Sequence, residues 1–396
     1  MSKKFHLKID EPVVVHYGEV GDNEWGHTQF PHLEYVTDGI ACSWEYSRDT
    51  IDYDGATYKK YSKDNGKTWN SESGACRTHY QVMKNGKQFK GFVAKGAHKV
   101  DYLKKYTPAF ISPAKYSKGA YFFAEDIIED DDKKVFATEI DENGNENTFE
   151  CKVNWPYQLL GEPFGLVYPT TMLFALCNKC GLLQIDDDMY FVLYAPGFDA
   201  EAENRESAIR KYMDKSGVYV FKSTDCARTW DYVSQIHVND DLFVDDTEFE
   251  GLDEPMMELM SDGSVVMLIR TGAGQPSYIV RSTDNCKTWS KPKKFDDIGV
   301  FPQICALDCG VILSSYGRPG IRVRASSDPI GLKWEEPIEL PLSNPNEYIR
   351  SCSYTSLLPI NDREALLAYS DFYYPNPDGI PVKTILVRKI TVIFED

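Results

Sequence analysis

The chain has 396 residues, of which 42% are hydrophobic, 26% charged and 13% aromatic. This composition can fill a sizeable core, which excludes global disorder, and the abundant Tyr and Phe favour β-strands. The net charge of −18 repels nucleic acid and anionic lipid, so neither is an expected partner.

The first residues indicate a cytoplasmic protein. Met1–Lys8 carries positive charge, but no apolar run of about 7–15 residues follows it, as a secretory signal would require. The expected location is therefore cytoplasmic, or secreted if a leader has been removed. No apolar stretch reaches the roughly 18–20 residues that cross a membrane, so no membrane association is expected.

The ten cysteines are dispersed along the chain, which favours reduced thiols over a disulfide framework. Cys177 and Cys180 form one close pair, and a zinc ribbon would need a second pair at matching spacing. The sequence therefore predicts no metal and no cofactor, and it does not indicate an oligomeric state.

One motif recurs along the chain and predicts hairpin turns. The pattern S-x-D-x-x-x-T-W occurs three times, and a degraded fourth copy carries one extra residue. The copies are Ser62–Trp69, Ser223–Trp230, Ser282–Trp289 and Ser326–Trp334. Each follows a strand-like run, and its Ser and Asp side chains can hold a turn by bonding to nearby backbone groups. We therefore assign these residues to the scaffold, with each Trp filling a gap between sheets.

The spacing of the copies predicts the architecture. The last three begin at Ser223, Ser282 and Ser326, intervals that suit four-stranded units. The longer interval before Ser223 has room for one enlarged unit or two ordinary ones, and strand-like runs after residue 354 supply another. We predict an all-β, six-bladed β-propeller, with seven blades as the alternative, formed by residues 1–396 as a single domain.

The repeat, the length and the strand content resemble the sialidase (neuraminidase) superfamily, also called BNR-repeat or Asp-box proteins. The resemblance covers nearly the whole chain and implies a glycoside hydrolase whose partner is a carbohydrate substrate. Sialidases use a tyrosine nucleophile activated by a glutamate, an aspartate acid/base, and three arginines that clamp the substrate carboxylate. Because a phenol has a pKa of about 10, it must lose its proton to a nearby carboxylate as it attacks.

The resemblance assigns two roles within residues 253–271. Glu254 matches the glutamate that activates the tyrosine, and Arg270 matches the second clamp arginine. Both lie at predicted strand ends, and a hairpin between them would bring them to one face of the propeller. An arginine offers a two-pronged donor that fits a carboxylate.

Two further roles fall on the C-terminal part of the chain. Arg318, in Ser315–Gly320, matches the third clamp arginine, with Arg322 or Arg324 as alternatives. Tyr354 lies at the head of the last unit, where the family has its nucleophile.

The N-terminal unit departs from the family pattern. Sialidases carry the first clamp arginine in a Phe-Arg-Ile-Pro-like motif, and the corresponding stretch here places Gln29 in that position. Either Arg48 or Arg77 supplies the missing charge from another direction, or the substrate is a different sugar, such as a uronic acid or a neutral one. His27 and His32 flank the altered position and titrate in a range useful for acid/base chemistry.

The acid/base residue is expected in the loop before the first repeated turn. Asp52 is the best candidate, and Asp49 and Asp54 are close alternatives.

Three functions remain open at this stage. The first is a retaining exo-glycosidase that releases sialic acid or a related acidic sugar through Tyr354, Glu254 and Asp52. The second is a polysaccharide lyase or a different glycosidase that uses His27 or His32. The third is a propeller that binds carbohydrate or protein without catalysis. The shared scaffold does not decide between them.

Overall fold

We describe the protein from a computed structural model. It describes residues 4–36, 39–47, 56–71, 80–82, 88–94, 105–112, 120–133, 135–140, 146–154, 159–163, 182–196, 199, 202–204, 206–207 and 211–395. Strands dominate these residues, and two short 3₁₀ helices span Glu125–Ile127 and Asp130–Lys133. None of the helices in the described ranges is long and apolar enough to cross a membrane.

The strands are numbered in chain order. The first nine are β1 (Phe5–Ile9), β2 (Val13–Tyr17), β3 (His27–Val36), β4 (Gly39–Tyr46), β5 (Ala56–Ser62), β6 (Asn70–Ser71), β7 (Tyr80–Val82), β8 (Gln88–Ala94) and β9 (Phe110–Ser112). The next eight are β10 (Ala120–Ala124), β11 (Val135–Ile140), β12 (Glu146–Asn154), β13 (Leu159–Pro163), β14 (Leu182–Ile185), β15 (Asp188–Pro196), β16 (Ser216–Ser223) and β17 (Thr229–Ile236). The last eleven are β18 (Asp253–Leu259), β19 (Val265–Arg270), β20 (Ser277–Ser282), β21 (Lys293–Asp296), β22 (Val300–Ala306), β23 (Ile312–Gly317), β24 (Ile321–Ser326), β25 (Ile338–Glu339), β26 (Ser356–Pro359), β27 (Glu364–Pro375) and β28 (Pro381–Phe394).

The chain divides into two compact units. Unit 1 comprises Met1–His79, Glu258–Leu268 and Asp297–Asp396, and unit 2 comprises Tyr80–Met257 and Ile269–Asp296. The prediction of a single domain over residues 1–396 stays a prediction.

Unit 1 contains three antiparallel sheets. Their strand orders are β3-β4-β5-β6, β22-β23-β24-β25, and β1-β28-β27-β26 with β2 also paired to β28. The last sheet joins both ends of the chain, since Phe5 lies opposite Phe394. Strands such as β4 and β23 are buried on both faces. Two apolar clusters form the core, one around Leu313, Leu367 and Ile390 and one around Trp44.

Unit 2 contains an eight-stranded sheet, in the order β14-β15-β16-β17-β12-β11-β8-β7, and a three-stranded sheet, β13-β10-β9. Its core packs Phe122, Phe191, Tyr219 and Trp230, each at most 2% exposed. A further sheet has the order β18-β19-β20-β21, and the boundary between the units falls within β18 and β19.

The prediction of six blades, or seven, is wrong for the part of the chain that the structure describes. Five sheets there have four or more strands, and the sixth sheet has three. The physical reason is that Lys152–Asn154 of β12 pairs in parallel with Thr229–Asp231 of β17. This pairing joins two groups of strands into one sheet of eight, and nothing in the turn motif signals it.

The repeated motif forms turns held by side chains. In the first copy the Ser62 hydroxyl donates to Asp64 Oδ1 (2.8 Å) and accepts from the Gly66 amide (2.8 Å). Thr68 donates to Asp64 through its amide (2.9 Å) and its hydroxyl (2.7 Å). These bonds hold the pKa of Asp64 at about 2. In the second and third copies the serine hydroxyl again donates to the aspartate and accepts from a backbone amide, and the aspartate accepts from the threonine amide. The serine and aspartate are Ser223 and Asp225 in the second copy and Ser282 and Asp284 in the third.

The tryptophans of the turns do not all fill the same role. Trp230 is 1% exposed in the core of unit 2. Trp69 and Trp334 are half-buried and donate their indole N–H to a carbonyl of their own turn, Gly66 (3.1 Å) and Gly331 (3.0 Å). The motif therefore stabilises the turn itself in addition to supplying apolar surface.

Candidate functional site

Glu254 and Arg270, both in unit 2, form an ion pair. Arg270 Nη1 lies 2.9 Å from Glu254 Oε1, and Nη2 lies 2.8 Å from Glu250 Oε2. The Glu254 and Arg270 side chains are 6% and 10% exposed, while Glu250 is 47% exposed. The two carboxylates therefore orient the Arg270 guanidinium and neutralise its positive charge.

Two buried ionisable groups surround this pair. Asp253 is 4% exposed, and burial together with the negative charge of Glu250 raises the pKa of its carboxyl. Lys215 is 1% exposed and donates from Nζ to the Phe249 carbonyl (2.5 Å), while burial lowers its pKa. Both shifts favour the neutral forms, so this region disfavours additional net charge.

Tyr354, in unit 1, is held by two aromatic rings. Its ring stacks on Phe301 with centroids 4.5 Å apart and meets Phe30 edge-on at 4.7 Å. Phe30 and Phe301 are 5% and 7% exposed, whereas Tyr354 is half-buried. Contacts of this kind fix the plane of the tyrosine ring while part of the side chain stays accessible.

A shared backbone feature marks Phe30, Glu254 and Phe301. Each adopts a positive φ, of 53°, 44° and 47° respectively, and each directly precedes a proline near the start of β3, β18 or β22. Residues other than glycine rarely adopt this conformation, and such strain is typical of positions that aim a side chain. Ser353, just before Tyr354, also has a positive φ, of 64°.

Arg318 lies beside the backbone that carries Tyr354. Its Nη2 donates to the Cys352 carbonyl (2.8 Å), and its guanidinium lies 5.3 Å from the centre of the Trp25 ring. Its Nε is buried and makes no hydrogen bond with any described residue. Within the described ranges this arginine also has no ion pair, so its charge is available to an anion.

Gln29 is a buried residue and does not reach the surface. It is 0% exposed, and neither its amide nitrogen nor its amide oxygen has a hydrogen-bond partner among the described residues. The neighbouring Thr28 hydroxyl is buried in the same way. His32, three residues along β3, is half-buried, and its carbonyl accepts from the Ser43 hydroxyl at 3.5 Å.

A second polar group in unit 1 joins His27 to Asp22. His27 Nδ1 lies 3.0 and 3.2 Å from the two Asp22 oxygens, and its ring stacks on Tyr46 with centroids 4.1 Å apart. The Tyr46 hydroxyl also bonds to Asp22, and partial burial and this carboxylate raise the pKa of Tyr46. A carboxylate bound to Nδ1 leaves Nε2 as the basic nitrogen, an arrangement suited to proton transfer.

Several predicted residues fall outside the described ranges. These are Asp52 with its alternatives Asp49 and Asp54, the arginines Arg48 and Arg77, and the pair Cys177 and Cys180. Arg322 and Arg324 are described on β24, where Arg324 donates to the Glu335 carbonyl (2.6 Å). No group of three or more potential metal ligands occurs in the described parts of the chain.

Comparison with known proteins shows which solved structures have a similar fold. No family model and no curated protein sequence matches the chain. A crystal structure of a protein of unknown function from Dyadobacter fermentans matches with a TM-score of 0.65 and 16% identity, over 98% of this chain and 99% of that one. A Hadza microbial sialidase matches with a TM-score of 0.53 and 12% identity, over 97% and 68%. A mutant of the NanB sialidase from Streptococcus pneumoniae matches with a TM-score of 0.50 and 11% identity, over 96% and 70%.

These likenesses show an all-β chain with a β-propeller arrangement similar to that of sialidases. The chain spans nearly all of the Dyadobacter protein but only 53 to 70% of the sialidase chains. At these identities the fold is shared, while the chemistry depends on the individual side chains.

Proposed function

We propose that this protein is a retaining exo-glycosidase that releases sialic acid or a related acidic sugar. The observation that carries the proposal is Arg318, a cation with no ion pair among the described residues that is hydrogen-bonded to the carbonyl two residues before Tyr354. A guanidinium in this position suits a substrate carboxylate next to a tyrosine nucleophile. The likeness of the fold to sialidases supports the same function.

The proposed mechanism gives each residue one role. Tyr354 attacks the anomeric carbon, and Glu254 accepts the phenolic proton during the attack. Asp52 protonates the departing glycosidic oxygen and then removes a proton from the water that hydrolyses the glycosyl-tyrosine. Two displacements retain the anomeric configuration, and sialidases with a tyrosine nucleophile depart in this way from the usual pair of carboxylates.

Geometry around each group supports these roles. Phe30 and Phe301 hold the Tyr354 ring, which reduces the entropy lost on reaching the attacking geometry. Arg270 holds the Glu254 carboxylate in one orientation. Gln29 is uncharged and stands in place of the first clamp arginine. The proposed substrate is therefore one whose carboxylate is bound by fewer than the three arginines that sialidases use.

The test is a panel of fluorogenic glycosides with sialic acid, deaminated sialic acid, uronic acid and neutral sugars. We expect the wild type to release an acidic sugar and the Tyr354→Phe variant to lose that activity. Retained activity in Tyr354→Phe, or release of neutral sugars alone, would contradict the proposal.

The His27–Asp22 pair favours one alternative, a polysaccharide lyase or another glycosidase. In a lyase, His27 Nε2 would take the proton beside the carboxylate of a uronic acid, and elimination of the glycosidic oxygen would leave a carbon–carbon double bond. Ultraviolet absorbance of that double bond distinguishes this reaction from hydrolysis. Its loss in His27→Asn and its persistence in Tyr354→Phe would select the lyase. Binding of glycans with no turnover in either assay would select the non-catalytic propeller.

A further inference from the structure

Arg318 and Lys383 are two cations of unit 1 that form no ion pair with any residue in the described ranges. Lys383, on β28, is only 8% exposed, and its Nζ donates to the Glu24 carbonyl. Burying an ammonium group without a counter-ion is costly, so such a group indicates a bound anion or a structural role that compensates.

Two aromatic rings connect the two cations. The Arg318 guanidinium lies over Trp25 at 5.3 Å, and Lys383 Nζ lies over Phe372 at 5.3 Å. Trp25 and Phe372 meet edge-on with centroids 5.9 Å apart. The rings stabilise the cations without neutralising them.

Two carboxylates lie near Lys383, but neither Asp22 nor Glu24 forms an ion pair with it in the described ranges. Asp22 binds His27 and Tyr46, and Glu24 meets Lys383 through its backbone carbonyl. Burial lowers the pKa of Lys383, while the charges of Asp22 and Glu24 act in the opposite direction. The ammonium group has three N–H donors, and the described residues accept from it at one carbonyl.

Lys383 also lies next to the strand that carries Gln29. A Cβ at Gly18 would come within 2.7 Å of the Lys383 carbonyl oxygen and 3.0 Å of the Thr28 hydroxyl oxygen. Lys383 and Thr28, the residue before Gln29, therefore both border Gly18. This chain has a buried amide at Gln29, where the family resemblance expects an arginine. The backbone of Lys383 borders that strand, and its ammonium group lies at the carbonyl of Glu24, five residues before Gln29.

We propose that Lys383, together with Arg318, recognises the carboxylate of an acidic sugar and replaces the cation missing at Gln29. This inference rests on the proposed function for the kind of ligand, but it concerns binding and does not require turnover. Lys383 is a specificity residue in this account, and it takes no part in proton transfer.

The experiment measures equilibrium binding of free monosaccharides by saturation-transfer NMR. The ligands are N-acetylneuraminic acid and glucuronic acid, each paired with its neutral methyl ester. The proteins are the wild type, Lys383→Gln, Lys383→Arg and Lys389→Gln. Lys389 is the matched control, because it lies on the same strand but pairs with Glu364 at 2.8 Å. Thermal melting of every variant reports whether the fold persists.

We expect Lys383→Gln to weaken binding of at least one acid by about ten- to a hundredfold, the value of one charge-assisted contact. Its methyl ester should bind equally to Lys383→Gln and the wild type, Lys383→Arg should retain affinity for the acid, and Lys389→Gln should behave as wild type. The acid that the wild type binds more tightly identifies the class of sugar. The proposal is overturned if the wild type prefers neither acid to its ester, or if Lys383→Gln weakens acid and ester alike.

A failure of the catalytic proposal would look different. Lys383-dependent binding of an acid without any release of sugar by the wild type would leave this site intact and overturn the hydrolase alone.

Discussion

Arg270 donates from Nη1 to Glu254 Oε1 over 2.9 Å, and the two side chains are 10% and 6% exposed. Glu250 binds the other terminal nitrogen of the same guanidinium. The two residues that the resemblance assigned to different roles are thus one electrostatic group. Removing its cation would leave the buried Glu254 carboxylate without the ion pair that Arg270 supplies.

We therefore expect Arg270→Met to lower the free energy of unfolding by about 3–5 kcal/mol, because breaking a buried ion pair leaves an uncompensated charge. The control is Arg228→Met, which removes the more exposed pair with Glu139 at 3.1 Å and should cost about 0–1 kcal/mol. Chemical denaturation of both variants measures the difference. Equal losses in the two variants would show that the Arg270 pair contributes no more than a surface pair.

The repeated turns give a second prediction. Asp64→Ala removes the acceptor of the Thr68 amide and hydroxyl and of the Ser62 hydroxyl, so it should lower the melting temperature by several degrees. Asp378→Ala is the control, since Asp378 is an exposed residue in the turn between β27 and β28. Scanning calorimetry compares the two, and an unchanged melting temperature for Asp64→Ala would mean that the turn holds without its aspartate.

His16 gives a prediction about pH. Its ring stacks on Trp44 with centroids 4.6 Å apart, and burial, aided by the charge of Lys60, lowers its pKa from 6.5 to about 4. The unfolded chain therefore binds more protons than the folded chain between these values. This contribution to stability is complete above pH 6.5, falls as the pH drops through the interval, and is lost below pH 4.

The measurement is the free energy of unfolding against pH for the wild type and His16→Gln. The variant should lack a pH-dependent component of about 3 kcal/mol, because each pH unit between 6.5 and 4 changes the free energy by about 1.4 kcal/mol. His6→Gln, at an exposed position on β1, should follow the wild-type curve. Parallel curves for the wild type and His16→Gln would contradict the assignment.

Much of the scaffold was predictable because its signals are local. The turn motif at Ser62, Ser223 and Ser282 specifies side-chain bonds within a few residues, and the structure forms them. The all-β class follows from the same spacing. The blade number was not predictable, because the parallel contact of Lys152 with Thr229 joins strands that are far apart in sequence.

The candidate site was predictable only in part. The resemblance pointed to Glu254 and Arg270, which the structure brings together, but it gave no sign that Gln29 is completely buried. Sequence reasoning also missed Lys383 and Asp22, whose neighbours are side chains and carbonyls brought close by folding.

The most direct test of the central claim is to trap the sugar on Tyr354. An acidic sugar with fluorine beside the anomeric carbon and a good leaving group slows hydrolysis of the glycosyl-enzyme, so the adduct can accumulate. Trypsin cleaves after Arg350 and Arg363, and the peptide of residues 351–363 contains Tyr354 as its one tyrosine. We predict that this peptide gains the mass of one sugar residue, that fragmentation places it on Tyr354, and that Tyr354→Phe gains none. An unmodified peptide, or a sugar on another residue, would contradict the account.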